Sequence, residues 1–362
     1  GDTLIAARGL IAAPRLRDDV KKILIQFARF EENGTIPNMI SGNNAANRDT
    51  SDAPLWLFTA AADLCRAEGS YDFLNTPVRD SETFRDVLTD LAGGICKGTP
   101  NGIRCDLESG LVFSPPHFTW MDTNYPAGTP REGYPVEIQA LWFAALSFLG
   151  KCTGNEKWSA LAAKVKNSIR RYFLMGKSLS DCLHCSAGMT PAQAIADDHI
   201  RPNQLLAVTL GAVDDPTICN GILEDCACLL IPGAIRSLAD RKTAYALPVK
   251  GMNGQLLNDP HAPYCGRYEG DEDTRRKVAY HNGTAWTWQF PLYAEAYFMT
   301  RGEPGKATAK AYLASMVLKM DSGCVMQLPE ILDGDAPHIS RGCDAQAWGI
   351  SEFYRVWKML HS

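Results

Sequence analysis

Two carboxylates stand out by the company they keep. Asp122 lies in Phe118-Thr119-Trp120-Met121-Asp122-Thr123-Asn124-Tyr125, an acid among aromatic rings. Glu330 lies in Gln327-Leu328-Pro329-Glu330-Ile331-Leu332-Asp333-Gly334-Asp335, after an apolar run and a proline. A carboxyl in apolar surroundings holds its proton to higher pH, as a general acid must. Two such groups, with tryptophan and tyrosine to stack on the CH faces of a sugar, suit glycoside hydrolysis; the plainer reading makes both ordinary turn residues. Other chemistries lack their motifs. There is no Walker loop, dinucleotide fingerprint or nucleophile elbow, and Gly266 to Gly270 is a glycine-flanked loop without a phosphate cradle. Cys182-Leu183-His184-Cys185 has half the spacing of a zinc site, but no second Cys-x-x-Cys pair completes it.

The chain that must position these residues has 362 amino acids, 46% hydrophobic and 21% charged, enough for a large core and too apolar for disorder. A net charge of −5 without a basic tract argues against nucleic acid, and no apolar run is long enough to span a membrane. The twelve cysteines are scattered, several inside apolar helical text, so reduced thiols and a cytoplasmic location are expected.

Two kinds of helical text alternate. Leu4–Ala13, Pro54–Cys65, Ile138–Leu149, Gln204–Val213, Ala285–Phe298 and Ala345–Leu360 are apolar nearly all round, the pattern of helices buried on most sides. Asp18–Glu31, Ser81–Ile95, Glu156–Phe173, Pro216–Leu230 and Lys306–Met320 are amphipathic. The class is therefore all-α, and strict alternation of inner and outer helices points to an (α/α)6 barrel; a solenoid would need a steadier period. On this count residues 1–362 form one barrel domain, and the abrupt start at Gly1 is read as loss of the first outer helix and of any upstream domain. The helix-poor stretches 96–136 and 231–282 are long enough to be functional loops. Inner helices begin near polar groups: Asp2, Asp52, Glu137, Asn203 and Asp344. Helix capping accounts for each singly; together they would line a funnel at one mouth.

Eight strings, in order, resemble the glucosidase part of glycogen debranching enzymes, the amylo-α-1,6-glucosidase family. They are Asp2 to Ile5 with Arg8 to Leu10; Gly34 to Asn38; Ser51 to Trp56; Thr119 to Asp122; Thr129 to Gly133 with Pro135 to Trp142; Arg201 to Gln204; Ala279 to Thr284 with Trp286 and Trp288; and Gly342 to Trp348. The resemblance implies an (α/α)6 barrel that removes α-1,6-linked glucosyl stubs from glycogen or limit dextrin with inversion. It makes Asp122 the general acid and Glu330 the general base, the pair the residues alone had singled out. It suggests that Asp2, Asp52, Trp120, Glu137, His281, Trp286, Gln346 and Trp348 contact sugar. Asn203 and Gln204 read as helix-start hydrogen bonders, and Arg131 and Arg341 as residues that hold loops.

Inversion by two carboxylates needs no metal or organic cofactor. A chain of this length has no room for a glucanotransferase barrel, so a separate glucanotransferase or phosphorylase activity would be its partner. The alternatives are a related barrel glucosidase acting on α-1,4 links or a disaccharide, and a glycan-binding domain without activity. A sugar epimerase on the same fold would need a second histidine beside His281.

Overall fold

The computed structural model describes residues 1–42, 44–123 and 129–362. About half of the chain is helical. In order the α-helices are α1 (Asp2–Ile11), α2 (Arg17–Ala28), α3 (Asp52–Glu68), α4 (Phe84–Lys97), α5 (Val136–Thr153), α6 (Glu156–Phe173), α7 (Leu205–Thr209), α8 (Pro216–Ala227), α9 (Lys277–Tyr280), α10 (Phe290–Arg301), α11 (Lys306–Ala314) and α12 (Ala347–His361). All eleven expected helices are present. The purely helical expectation needs one correction: among the described residues, five small antiparallel sheets lie in the loops. Ala285–Trp286, expected to open an inner helix, is a strand, and α10 begins only at Phe290.

Six helices pack in cyclic order, α1 on α3, α3 on α5, α5 on α7, α7 on α10, α10 on α12, and α12 back on α1; α12, expected to be apolar nearly all round, exposes Trp357, Lys358 and His361 on one face. The cycle is tight at its closing seam. A Cβ at Gly9 would collide with the Ser351 backbone, and the Ser351 hydroxyl donates to the Ala6 carbonyl. The amphipathic α2, α4, α6, α8 and α11 lie against these six. Leu4, Leu55, Phe58, Leu141, Trp142 and Leu292 are fully buried between the layers, each contributing about 1.5–3 kcal/mol. Charged residues in the later turns of the inner helices tie the ring together. Arg8 reaches Asp63 at 2.7 Å, and Arg355 reaches Glu295 at 2.6 Å and Glu352 at 2.7 Å.

At the opposite ends of these helices, the loops fold into the sheets that carry the site. The largest runs Leu230–Ile231, Ala234–Arg236, Ala285–Trp286, Ile331–Leu332, Ser340–Arg341, each strand paired with the next. Its register sets Trp286 opposite Ile331, and Glu330 next along the strand faces Thr287, whose N–H and hydroxyl both donate to the Glu330 carbonyl. Among the described residues no helix is long and apolar enough to cross a membrane, and all twelve cysteines are free.

Candidate active site

The start of α1, the start of α12, the α9 end and the loops around Asn38, Asp122 and Glu330 converge on one cavity of about 750 Å³. Asp2, Trp120, Asp122, His281, Trp286, Glu330, Gln346 and Trp348 all line it. Asp52 and Glu137 are not among the lining residues. Asn124 and Tyr125 of the Asp122 motif lie outside the described residues.

The floor is aromatic. Trp120 stands edge-on to four rings: Trp286 at 5.0 Å, Trp288 at 5.2 Å, His281 at 5.5 Å and Trp348 at 6.3 Å between centroids. These edge contacts suit the ring quadrupoles and hold each plane in place. The indole N–H of Trp120 is fixed from below, donating to Asn203 Oδ1 at 2.8 Å. Asn203 in turn donates to Asp181 at 2.8 Å, and Asp181 accepts from Arg131 Nε at 2.8 Å. Arg131 also grips Glu137 through two nitrogens, one at 2.6 Å. Glu137 is thus fully buried and engaged beneath the floor.

The two carboxylates differ in environment. Asp122 is solvent-exposed as a residue, while the protein around the cavity partly desolvates its carboxyl. Burial pushes its carboxyl up to about 6, assisted by the charge of Asp52. Asn38 Nδ2 donates to its Oδ2 at 3.4 Å. Glu330 is buried, and donors meet both its oxygens, the Tyr280 hydroxyl at Oε1 and the Cys343 N–H at Oε2, the latter at 3.0 Å. That satisfies an acceptor-only carboxylate. The Glu330 loop is pinned further by its own N–H on the Cys343 carbonyl at 2.9 Å and by Arg341, which holds Asp333. Gly342 beside it has φ +69°, and a Cβ there would strike the Glu330 carboxylate.

Asp52 has a different position from the expected cap. It is the first residue of α3, and Thr50 does the capping, accepting the Ala53 N–H at 3.1 Å while donating to Asp52 at 2.7 Å. His281 is 1% exposed, and neither ring nitrogen has a hydrogen-bond partner among the described residues. Burial holds it well below the usual imidazole range, so it is neutral near pH 7, with one donor and one acceptor for a ligand. Sequence reasoning gave no role to Asn38 or Tyr280. Both fall inside strings that carried the resemblance, but the carboxylates they touch are 84 and 50 positions away.

An acid of raised proton affinity and a hydrogen-bonded carboxylate, set over tryptophans in one cavity, are the equipment of a glycoside hydrolase. The comparisons agree. Residues 1–355 match the model of the family described as amylo-alpha-1,6-glucosidase, and the chain belongs to that family. It is similar to the glycogen debranching enzyme of Saccharomyces cerevisiae, 21% identical over 98% of this chain. The chain spans 29% of the length of that relative. In fold it is similar to an uncharacterized conserved protein from Thermus thermophilus, with a TM-score of 0.60 at 14% identity, over 98% of this chain and 91% of the other.

Proposed function

We propose that this chain is an (α/α)6 toroid that removes α-1,6-linked glucosyl stubs from glycogen or a limit dextrin, with inversion at the anomeric carbon. One observation carries the reading. Asp122, held protonated up to about pH 6, and Glu330, hydrogen-bonded through both oxygens, line the same aromatic-floored cavity. Asp122 protonates the glycosidic oxygen as its bond to the anomeric carbon breaks. Glu330 takes a proton from a water that attacks that carbon from the opposite face, so the product is β-glucose. This geometry asks for carboxyls about 6.5–9.5 Å apart, leaving room for the water. Asp2, His281, Gln346 and the tryptophans at 120, 286 and 348 bind the sugar. Asp52 and Glu137 act from behind the wall, the first through its charge on Asp122 and the second through Arg131. Twelve free thiols support a reducing, cytoplasmic compartment. A separate glucanotransferase or phosphorylase would trim the branches first.

The test is glucose release from a phosphorylase limit dextrin after glucanotransferase treatment, followed by NMR at early times, with Asp122→Asn and Glu330→Gln beside the wild type. Release of β-glucose that both substitutions abolish is the expected result. Release of α-glucose would overturn inversion, and no release would leave glycan binding as the function.

A further inference from the structure

The cavity has a second wall that the hydrolytic reading leaves without a task. Helix α2 presents Lys22, Ile23, Gln26 and Phe27 to it, residues spaced so that 22 and 26, and 23 and 27, share one flank of the helix. Beside them the segment Asn38–Ile40 adds Met39, a large apolar side chain that is 65% exposed at the cavity edge. We propose that this wall seats the leaving-group side of the substrate, the α-glucan chain from which the glucose is cut. The inference rests on the hydrolase reading above and assigns the other half of the same cavity.

The side of the cavity follows from the chemistry. A general acid touches the leaving oxygen, whereas the base lies across the anomeric carbon with the attacking water. Whatever neighbours the acid outward therefore neighbours the leaving chain. The segment joined to Asp122 is this one, since Asn38 Nδ2 donates to Asp122 Oδ2. With Oδ2 occupied by a donor, the acidic proton belongs on Oδ1. The next residues along the chain, Met39 and Ile40, then continue from the acid towards the rim. The core does not claim Met39, which makes an exposed apolar surface, while Ile40 is half-buried, with one side packed on the core. With Ile23 they offer apolar contact to the CH faces of a sugar. Lys22 and Gln26, both exposed, offer donors to its hydroxyls. Glucose itself, held by the tryptophan floor and His281, does not need this wall. A malto-oligosaccharide chain does.

The test compares two substrates with the same glucosyl group. In α-glucosyl fluoride the leaving group is a fluoride ion; in a malto-oligosaccharide bearing one α-1,6-glucosyl branch it is a sugar chain. For Gln26→Ala combined with Met39→Ala, and separately for Lys22→Ala, the ratio of kcat/KM on the branched substrate to that on the fluoride is measured against wild type. The expected result is a fall of about tenfold for the double substitution, mainly through a higher KM for the branched substrate. Thermal unfolding checks that each variant is folded, and exposed positions of this kind are ordinarily tolerated. A ratio unchanged in both variants, with both substrates hydrolysed by the wild type, overturns this inference and leaves the hydrolase reading intact. Hydrolysis of neither substrate by the wild type overturns both.

Discussion

The hydroxyl of Tyr280 donates to Oε1 of Glu330, and the same ring stacks at a tilt 4.8 Å from Trp286, the residue that forms the floor beneath it. The residue that orients the Glu330 carboxylate is thus itself oriented by the aromatic floor. Replacing Tyr280 by Phe keeps the ring packing and removes only the donor. A hydrogen bond to a charged group contributes roughly 1.5–3 kcal/mol. The expected outcome is a fall in kcat of roughly ten- to a hundredfold with little change in KM, read by steady-state kinetics on a branched oligosaccharide. An equal loss in binding with kcat intact would show that Tyr280 holds substrate instead.

With Asp122 as the proposed general acid, the reaction is expected to be sensitive to pH on the alkaline side. As the proposed acid it must be protonated, and its carboxyl is pushed up to about 6, so kcat/KM is expected to fall as pH rises above that value. The nearby Asp52 is one cause of the elevation. Asp52→Asn removes its charge and is expected to move the alkaline limb to lower pH. A limb that stays in place would remove Asp52 from the account.

The same raised value has a cost in stability. The folded protein holds the Asp122 proton more tightly than the unfolded chain, whose value is near 3.8. The stabilisation is therefore complete below that value and lost as pH rises through about 6. Asp122→Asn carries no such penalty. Its Tm, relative to wild type, is expected to climb between pH 4 and 7 and to level off beyond. A Tm difference that is flat with pH would contradict the raised proton affinity of this carboxyl.

Glu137 and His281 are expected to fail in opposite ways. Glu137→Gln breaks a buried pair with Arg131, a change that typically costs about 3–5 kcal/mol, so Tm should fall steeply. His281→Leu removes a buried ring without a polar partner among the described residues. It should leave Tm level or higher while lowering kcat/KM about tenfold or more, since hydroxyl contacts are lost. Differential scanning calorimetry and kinetics on the same preparations separate the two.

Gly342→Ala places a methyl against the Glu330 carboxylate at a backbone with φ +69°. A side chain in the left-handed region costs roughly 1–2 kcal/mol before the collision is counted. Activity should be lost further than stability, because the carboxylate must move. Full activity in this variant would show that the Glu330 loop adjusts freely.

Much of this was legible in the sequence, for reasons that also mark where legibility ends. The inner helices announced themselves because residues such as Leu55, Trp56, Leu57 and Phe58 are apolar in succession, which only a helix covered on most sides tolerates. The strand at Ala285–Trp286 did not, being two residues long within apolar text that reads equally well as helix. Asp122 and Glu330 were visible as acids in apolar company. The network Trp120–Asn203–Asp181–Arg131 was not, because its bonded partners lie 83, 22 and 50 positions apart and no local pattern registers a partner so far along the chain. Thr50 took the capping role read into Asp52 because a threonine two residues earlier reaches the Ala53 N–H.

The packing of Trp120 among Trp286, Trp288 and Trp348, with Trp56 edge-on to Trp288 at 6.5 Å, gathers five of the eight tryptophans into one optically coupled cluster. Excitation absorbed by any of them migrates among the rest before it is emitted. Five of the eight indoles that give the protein its intrinsic fluorescence thus lie in or against the floor of the cavity. A sugar settling on Trp120 would be seen as a change of emission without any label, which makes occupancy a quantity that can be followed separately from turnover.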